Sequence, residues 1–347
     1  MTEHETLKQY LREWAGTDEL RGAVETTMLA ISEACCAIGE IIALGPLAGL
    51  PRGGANEIGN TRPEFDFKAN EILVEELGDA PVAYLTSKEL ELPVPVNPGE
   101  PLYVAAAPLD ASSKIDINVP LGTIFSVMPM RCAKGAAESD CFLQKGAHQL
   151  AAGYVMYGPL TAMVLTLGEG THGFVMNPDT GEFCLTAWSI AIPEDTTEFA
   201  INTSNFRRWD GHIKAYIDDC LLGAEGPHGK NYTTRWIASL VAECHRIMVR
   251  GGIFLAPGDR REGYRRGRLQ LAHECNPIAF LAEQAGGAAT TGTVRIMEIE
   301  PTDIHQRTPL IFGSRREVEL LEHYYLDVHP RGERSQLFGN RGLFRAG

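Results

Sequence analysis

Six short β-type runs, VAYLT, LYVAAAP, TIFSV, AAGYVMYG, TAMVLTL and GFVMN, fall between residues 82 and 177 and sit only a turn apart. A parallel pair needs a crossover of a dozen or more residues, so this spacing favours antiparallel pairing. Helical patterns flank the runs on both sides. Upstream, Leu7, Leu11 and Trp14, then Val24, Met28, Ile31, Ala34, Cys35 and Ile38, recur at helical spacing and predict two helices with a break at Thr17 and Asp18. FDFKANEILVEEL predicts a third. Downstream, GHIKAYIDDCLLG, SLVAECHRIMVRG, NPIAFLAEQAGG and SRREVELLEHYYLDV read as helices alternating with the strands GIFLAP and TPLIFGS. The expected fold class is therefore α/β, with helices and sheets stacked in layers. An N-terminal lobe is expected over residues 1–195 and a C-terminal lobe over 196–347.

With 347 residues, 44% of them hydrophobic, the chain can bury a large core. Its formal charge of −14 argues against nucleic acid and anionic membrane as partners, because polyphosphate surfaces are bound by dense cationic faces. No apolar run approaches the roughly 18 to 20 residues that span a bilayer, and MTEHETLKQYLREW is too charged for a secretory signal. A cytoplasmic location is expected. The eight cysteines are scattered without a CxxC pair or zinc spacing, and reduced structural thiols are expected. Residues 46–64, rich in Gly, Pro and Asn, read as a long loop, and no GxGxxG or GxxxxGK[ST] phosphate loop occurs.

PLDASSKIDINVPLGTIFSV resembles the D-P-L-D-G-S-S-N-I-D…G-T-I-F signature of class I fructose-1,6-bisphosphatases. The segments LAAGYVMYGPLTAMVLTLGEGTH, FAINTSNFRRWDGHIKAYIDDCLLGAEGP, RWIASLVAECHRIMVRGGIFLAPGD, HECNPIAFLAEQAGGAATTG and PTDIHQRTPLIFGS are similar to the bacterial branch of that family, in order and over nearly the whole chain. The resemblance implies a layered α-β-α-β-α sugar-phosphatase fold with mixed sheets, a homo-oligomer (tetramer or dimer) and a phosphorylated sugar substrate. It also implies two or three Mg²⁺ held by carboxylates over the 1-phosphate, and a 6-phosphate grip that includes an Arg from a neighbouring subunit.

Carried over residue by residue, the resemblance places Asp110 and Glu274 at metal-ligand positions, Glu89 at the second Glu of S-E-E, and Asp66 at the Asp of L-D-V-x-A-N. Ala107 replaces the first Asp of D-P-L-D, and Lys88 replaces the metal-bridging first Glu of S-E-E. Asn60 is the nearest match to a lost loop acid, and Ala111 and Lys114 replace Gly and Asn of D-G-S-S-N. Losing two carboxylates and gaining two ammonium groups changes the local charge by roughly four units, against several Mg²⁺ ions. Ser112 and Ser113 keep a phosphate-sized turn, and Asn202, Arg235 and Arg268 match positions of the distal phosphate grip. Ala256, Gln270 and His273 replace Tyr, Arg and Tyr.

The expected function is a sugar-phosphate-processing enzyme of this family, turned to metal-independent acid/base or Schiff-base chemistry with Lys88 at lowered pKa. In that reading Lys88, Glu89, Asp110, Lys114, Glu274 and Asp66 form the reacting centre, and no cofactor is expected. The alternatives are a residual phosphatase holding one Mg²⁺ on Asp110 and Glu274, and a non-catalytic sugar-phosphate binder.

Overall fold

The computed structural model describes residues 5–49, 63–131 and 138–326. Thr6 opens α1 (Leu7–Ala15) with a capping box, its hydroxyl accepting from the Gln9 N–H while the Gln9 side chain accepts from the Thr6 N–H. Asp18 caps α2 (Glu19–Leu44), so the break expected at Thr17 and Asp18 is where one helix ends and the next is capped. The third predicted helix is α3 (Pro63–Glu76). Most of the expected loop, and Asn60 with it, lies outside the described residues.

One sheet has eight strands: β1 (Val82–Ser87), β2 (Val94–Pro95), β3 (Leu102–Asp110), β4 (Leu121–Pro129), β5 (Ala151–Tyr157), β6 (Thr161–Thr166), β7 (Thr171–Met176) and β8 (Phe183–Ala187). The order is β2-β1-β3-β4-β5-β6-β7-β8. From β3 to β8 every pairing is antiparallel, as expected, although β4 and β5 are joined by the long connection Met130 to Leu150 rather than by a turn. The pair β1–β3 is parallel and corrects that expectation. Its connection, Lys88 to Pro101, has the dozen or so residues that a parallel return requires, and spends two of them on the edge strand β2.

The second sheet runs β10-β9-β11-β15-β13, from β9 (Glu198–Ile201), β10 (Thr233–Thr234), β11 (Ile253–Ala256), β13 (Ala288–Thr290) and β15 (Leu310–Gly313). A small ribbon pairs β12 (Leu269–Gln270) with β14 (Arg307–Thr308). The remaining helices are α4 (Gly211–Leu221), α5 (Leu240–Arg250), α6 (Asn276–Gln284) and α7 (Arg315–Leu326).

Strand alternation distributes the core. Leu121, Phe125 and Val127 of β4 pack with α1, α2 and α3, whereas Ile124 between them packs with α5 and α6. Phe254 and Phe312 meet α5 and α6 from the second sheet, and Ile253, Leu255 and Ile311 turn to α4 and α7. The layers therefore run helix, sheet, helix, sheet, helix, with mixed sheets.

Two further expectations are corrected. The segment Glu19–Ala48 is long and apolar enough, by length and composition, to cross a membrane. Glu33 and Glu40 interrupt it too sparsely to offset its Ala, Ile, Leu and Cys content, and the stripe Val24, Met28, Ile31, Cys35 and Ile38 is buried in the protein core. Cys141 is disulfide-bonded, while Cys35, Cys36, Cys184, Cys220, Cys244 and Cys275 are free. Scattered spacing holds no information about which thiols folding brings together.

Candidate active site

The parallel pair β1–β3 sends two chain segments out of the same sheet edge, and these carry Lys88 and Asp110; the Lys88 N–H donates to the Ala106 carbonyl at 2.9 Å. Lys114 follows in the turn Ser112–Ile117. The parallel pair β9–β11 delivers Asn202 and Ala256 in the same way. Arg268 precedes β12, and Glu274 lies in a π-type turn, Leu271–Cys275, ahead of α6. Six of the residues singled out in the sequence, Lys88, Asp110, Lys114, Asn202, Arg268 and Glu274, line one cleft of about 460 Å³. Sugar-phosphate ligands commonly bind beyond the carboxyl ends of parallel strands, which is where this cleft opens.

Lys88 Nζ lies 3.0 Å from Glu274 Oε1, and Glu274 is 2% exposed. The other carboxylate oxygen of Glu274 accepts from the Gln270 N–H at 2.8 Å, and the Gln270 side chain donates to the Lys88 carbonyl at 3.3 Å. Burial works to lower the pKa of the Lys88 ammonium, but the carboxylates of Glu274, Asp110 and Glu89 outweigh it and hold the group above the ordinary lysine range. The expectation of a lowered pKa at Lys88 is thereby corrected. Lys114 is the lysine whose pKa is lowered, by burial and by the Arg268 guanidinium, with Asp110 opposing.

Asp110 Oδ2 accepts from the Ser239 hydroxyl at 3.3 Å and from the Val241 N–H at 3.1 Å. Ser239 is the N-cap of α5, so the Asp110 carboxylate sits at a helix N-terminus, where the helix dipole favours negative charge. Gly122 makes this approach possible. It pairs with Asp110 across β3–β4, and a Cβ there would stand 2.6 Å from the Val241 side chain. Ala111, the next residue, holds φ 63°, a left-handed conformation that costs a non-glycine residue roughly 1 kcal/mol.

The far wall is the 257–268 loop. Arg261 clamps Asp259 and donates to Asn205 Oδ1 at 3.2 Å. Its guanidinium and that of Arg268 both pack on the Tyr264 ring, at 4.7 and 5.0 Å from the centroid. Trp236 stacks on Phe254 at 6.2 Å and supplies an apolar wall. Arg261 thus cancels Asp259, leaving Lys88, Lys114 and Arg268 to face Asp110 and Glu274.

The other predicted residues stand outside the lining. Asp66 is buried; its Oδ2 accepts from the Ser112 hydroxyl at 3.0 Å and its Oδ1 has no partner among the described residues. Burial, reinforced by Glu89, raises its carboxyl to about 7. Ser113 shares the turn of Ser112, and Glu89 is exposed beside Lys88. Arg235 is half exposed, pairs with Glu198 at 3.2 Å and is not among the residues lining its own chain's cleft, although Trp236 beside it is. Asn205, Trp209, Trp236, Ser239 and Asp259 line the cleft and were not singled out in the sequence. Only Ser239 carried a signal, as a serine immediately before an apolar helical run.

Among the described residues this arrangement does not fit a centre of two or three magnesium ions. Both Glu274 oxygens are engaged, by Lys88 and by the Gln270 N–H. Asp110 is held at the start of α5. Among the described residues no cluster of three or more acidic, histidine or cysteine side chains could hold a metal ion.

Five alternating layers around a cleft with convergent cations and two neutral amides, Asn202 and Asn205, define an α/β protein of the sugar-phosphatase type. Family models for the N-terminal and C-terminal domains of fructose-1-6-bisphosphatase match residues 6–188 and 192–326. A relative from Azorhizobium caulinodans, "Fructose-1,6-bisphosphatase class 1", is 50% identical over 92% of this chain and 99% of its own. One of the same description from Rhizobium meliloti is 48% identical over 98% and 99%. The crystal structure of Leishmania major fructose-1,6-bisphosphatase in holo form superposes with a TM-score of 0.85 at 32% identity, covering 94% of this chain and 100% of that one. The chain belongs to the fructose-1,6-bisphosphatase family.

Proposed function

We propose that the protein hydrolyses a phosphate ester of a phosphorylated ketose of the fructose 1,6-bisphosphate kind, with the Lys88 ammonium standing where the family places a metal ion. The observation that carries this reading is the Lys88–Glu274 ion pair inside a cleft that also presents Lys114, Arg268 and Asn202. The names of the relatives support the substrate class.

In this reading Lys88, Lys114 and Arg268 neutralise the phosphoryl oxygens, and Asn202 donates to the sugar phosphate. Water attacks phosphorus, the phosphorus–oxygen ester bond breaks, and its electron pair goes to the sugar oxygen. Asp110, the cleft carboxylate not paired to a lysine, accepts the water proton. Lys114, with its lowered pKa, gives its proton to the leaving oxygen. Lys88 stays protonated and acts as fixed charge, which disfavours the Schiff-base route. Arg235, exposed and outside its own cleft, serves a neighbouring copy in a cytoplasmic homo-oligomer.

The test is phosphorus NMR of the protein with fructose 1,6-bisphosphate in Mg²⁺ or in excess chelator. Orthophosphate at similar rates in both is expected. Release that stops in chelator overturns the ammonium's role, and a new organic phosphate without orthophosphate overturns hydrolysis.

A further inference from the structure

The 257–268 loop also lines two adjoining cavities of about 820 and 700 Å³. Arg260, Arg265, Arg266 and Arg307 line both, and Arg208 lines the larger. Among the described residues none of these five guanidiniums makes an ion pair, whereas Arg235, Arg246, Arg261, Arg295 and Arg316 each face a carboxylate. The acids on the walls are mostly committed. Asp259 is clamped by Arg261, and Asp210 accepts from the Ile213 N–H and the Tyr325 hydroxyl. The Asp259 carboxylate still feels Arg208, and Glu262 is left to oppose the other four cations.

In a chain of net charge −14, acids are plentiful, yet five arginines that make no ion pair among the described residues line one concavity and repel one another with little internal relief. A guanidinium fork matches phosphate oxygens in a bidentate way, and one phosphate can satisfy only two or three such forks. We propose that these five arginines form a second anion site, distinct from the cleft, that takes a small molecule carrying at least two phosphate groups. Tyr325, stacked on His212 at 4.8 Å, lines the same cavity and offers an aromatic edge to whatever bears the phosphates.

The site shares its wall with the cleft. Asp259 lines both, the Arg260 N–H donates to the Arg208 carbonyl at 3.2 Å beside the cleft residue Trp209, and Arg265 and Arg266 precede Arg268 in the same loop. A ligand that draws Arg260, Arg265 and Arg266 together therefore orders the loop that carries Arg268, and occupancy of the two sites is coupled.

Isothermal titration with inorganic pyrophosphate tests the proposal on the wild type, an Arg265→Ala/Arg266→Ala double variant, Arg307→Ala and Arg268→Ala. Arg265, Arg266 and Arg307 are exposed, so these substitutions leave the core intact. The expected result is a binding event that survives in Arg268→Ala, weakens at least tenfold in the double variant and in Arg307→Ala, and weakens further with added salt. This readout holds whatever the cleft itself binds. Parallel titrations with ATP and fructose 1,6-bisphosphate separate a nucleotide from a sugar source, and tighter arginine-dependent binding of either supports the site. Pyrophosphate binding that vanishes in Arg268→Ala and is untouched by the other variants overturns it. So does an absence of binding accompanied by a change of oligomeric state in the double variant, which would make the patch a contact between copies.

Discussion

An ammonium taken out of water is retained when carboxylates face it, and Lys88 has Glu274 at 3.0 Å with Asp110 and Glu89 adding to the field. Lys88→Met leaves the Glu274 charge buried without a cation, so denaturant melts are expected to show a loss of roughly 3 kcal/mol together with loss of phosphate release. Lys88→Arg restores a positive charge and is expected to recover most of the stability, which separates a need for charge from a need for an amine nucleophile. The neighbourhood carries a matching change: Gln270, where the resemblance puts Arg, donates to the Lys88 carbonyl. Against the motif it resembles, the chain has a cation at position 88 and none at position 270. Asp66 gives the pH dependence. Its carboxyl is raised to about 7 in the fold, so the folded state binds the proton more tightly than the unfolded chain, and stability falls as pH rises from about 4 to 7. Asp66→Asn is expected to remove this slope and to raise stability at pH 8 by about 2 kcal/mol; an unchanged pH–stability curve contradicts the assignment.

At the level of elements, the contact of α5 with β4 sets the position of Asp110, and Gly122 sets that contact. Gly122→Ala forces a Cβ to 2.6 Å from the Val155 carbonyl and the Val241 side chain, so a loss of roughly 2 kcal/mol is expected, with kcat falling more than KM rises as the α5 N-terminus leaves Asp110. Normal activity in a destabilised variant would mean that Asp110 does not depend on α5. Much of this architecture was legible beforehand. Helical spacing, with a break at Thr17 and Asp18, predicted α1, α2 and α5, because that signal is local; the caps Thr6, Asp18 and Ser239 are seen in the structure. The parallel pairing of β1 with β3 was not legible, since a connection of that length permits either direction and only burial decides. Lys88, Asp110, Lys114, Asn202, Arg268 and Glu274 were found from the motifs and share one cleft. Asn205, Trp209 and Asp259 were not, because they become neighbours only when β9, β11 and the 257–268 loop close on one another.

For the whole molecule, the layered fold gives one chain a cleft that lacks Arg235, whose side chain is half exposed and paired with Glu198. If a neighbouring copy receives it, Arg235→Ala is expected to raise KM for the bisphosphate about tenfold, with kcat little changed and the sedimentation coefficient unaltered. An unchanged KM would remove Arg235 from the site. The central claim is that a tethered ammonium occupies the centre in place of metal, and Mn²⁺ binding followed by electron paramagnetic resonance tests it most directly, independently of turnover. The account predicts no tight Mn²⁺ site in the wild type, and a new one in the Lys88→Glu/Ala107→Asp double variant. Tight binding by the wild type that disappears in Asp110→Asn would contradict it.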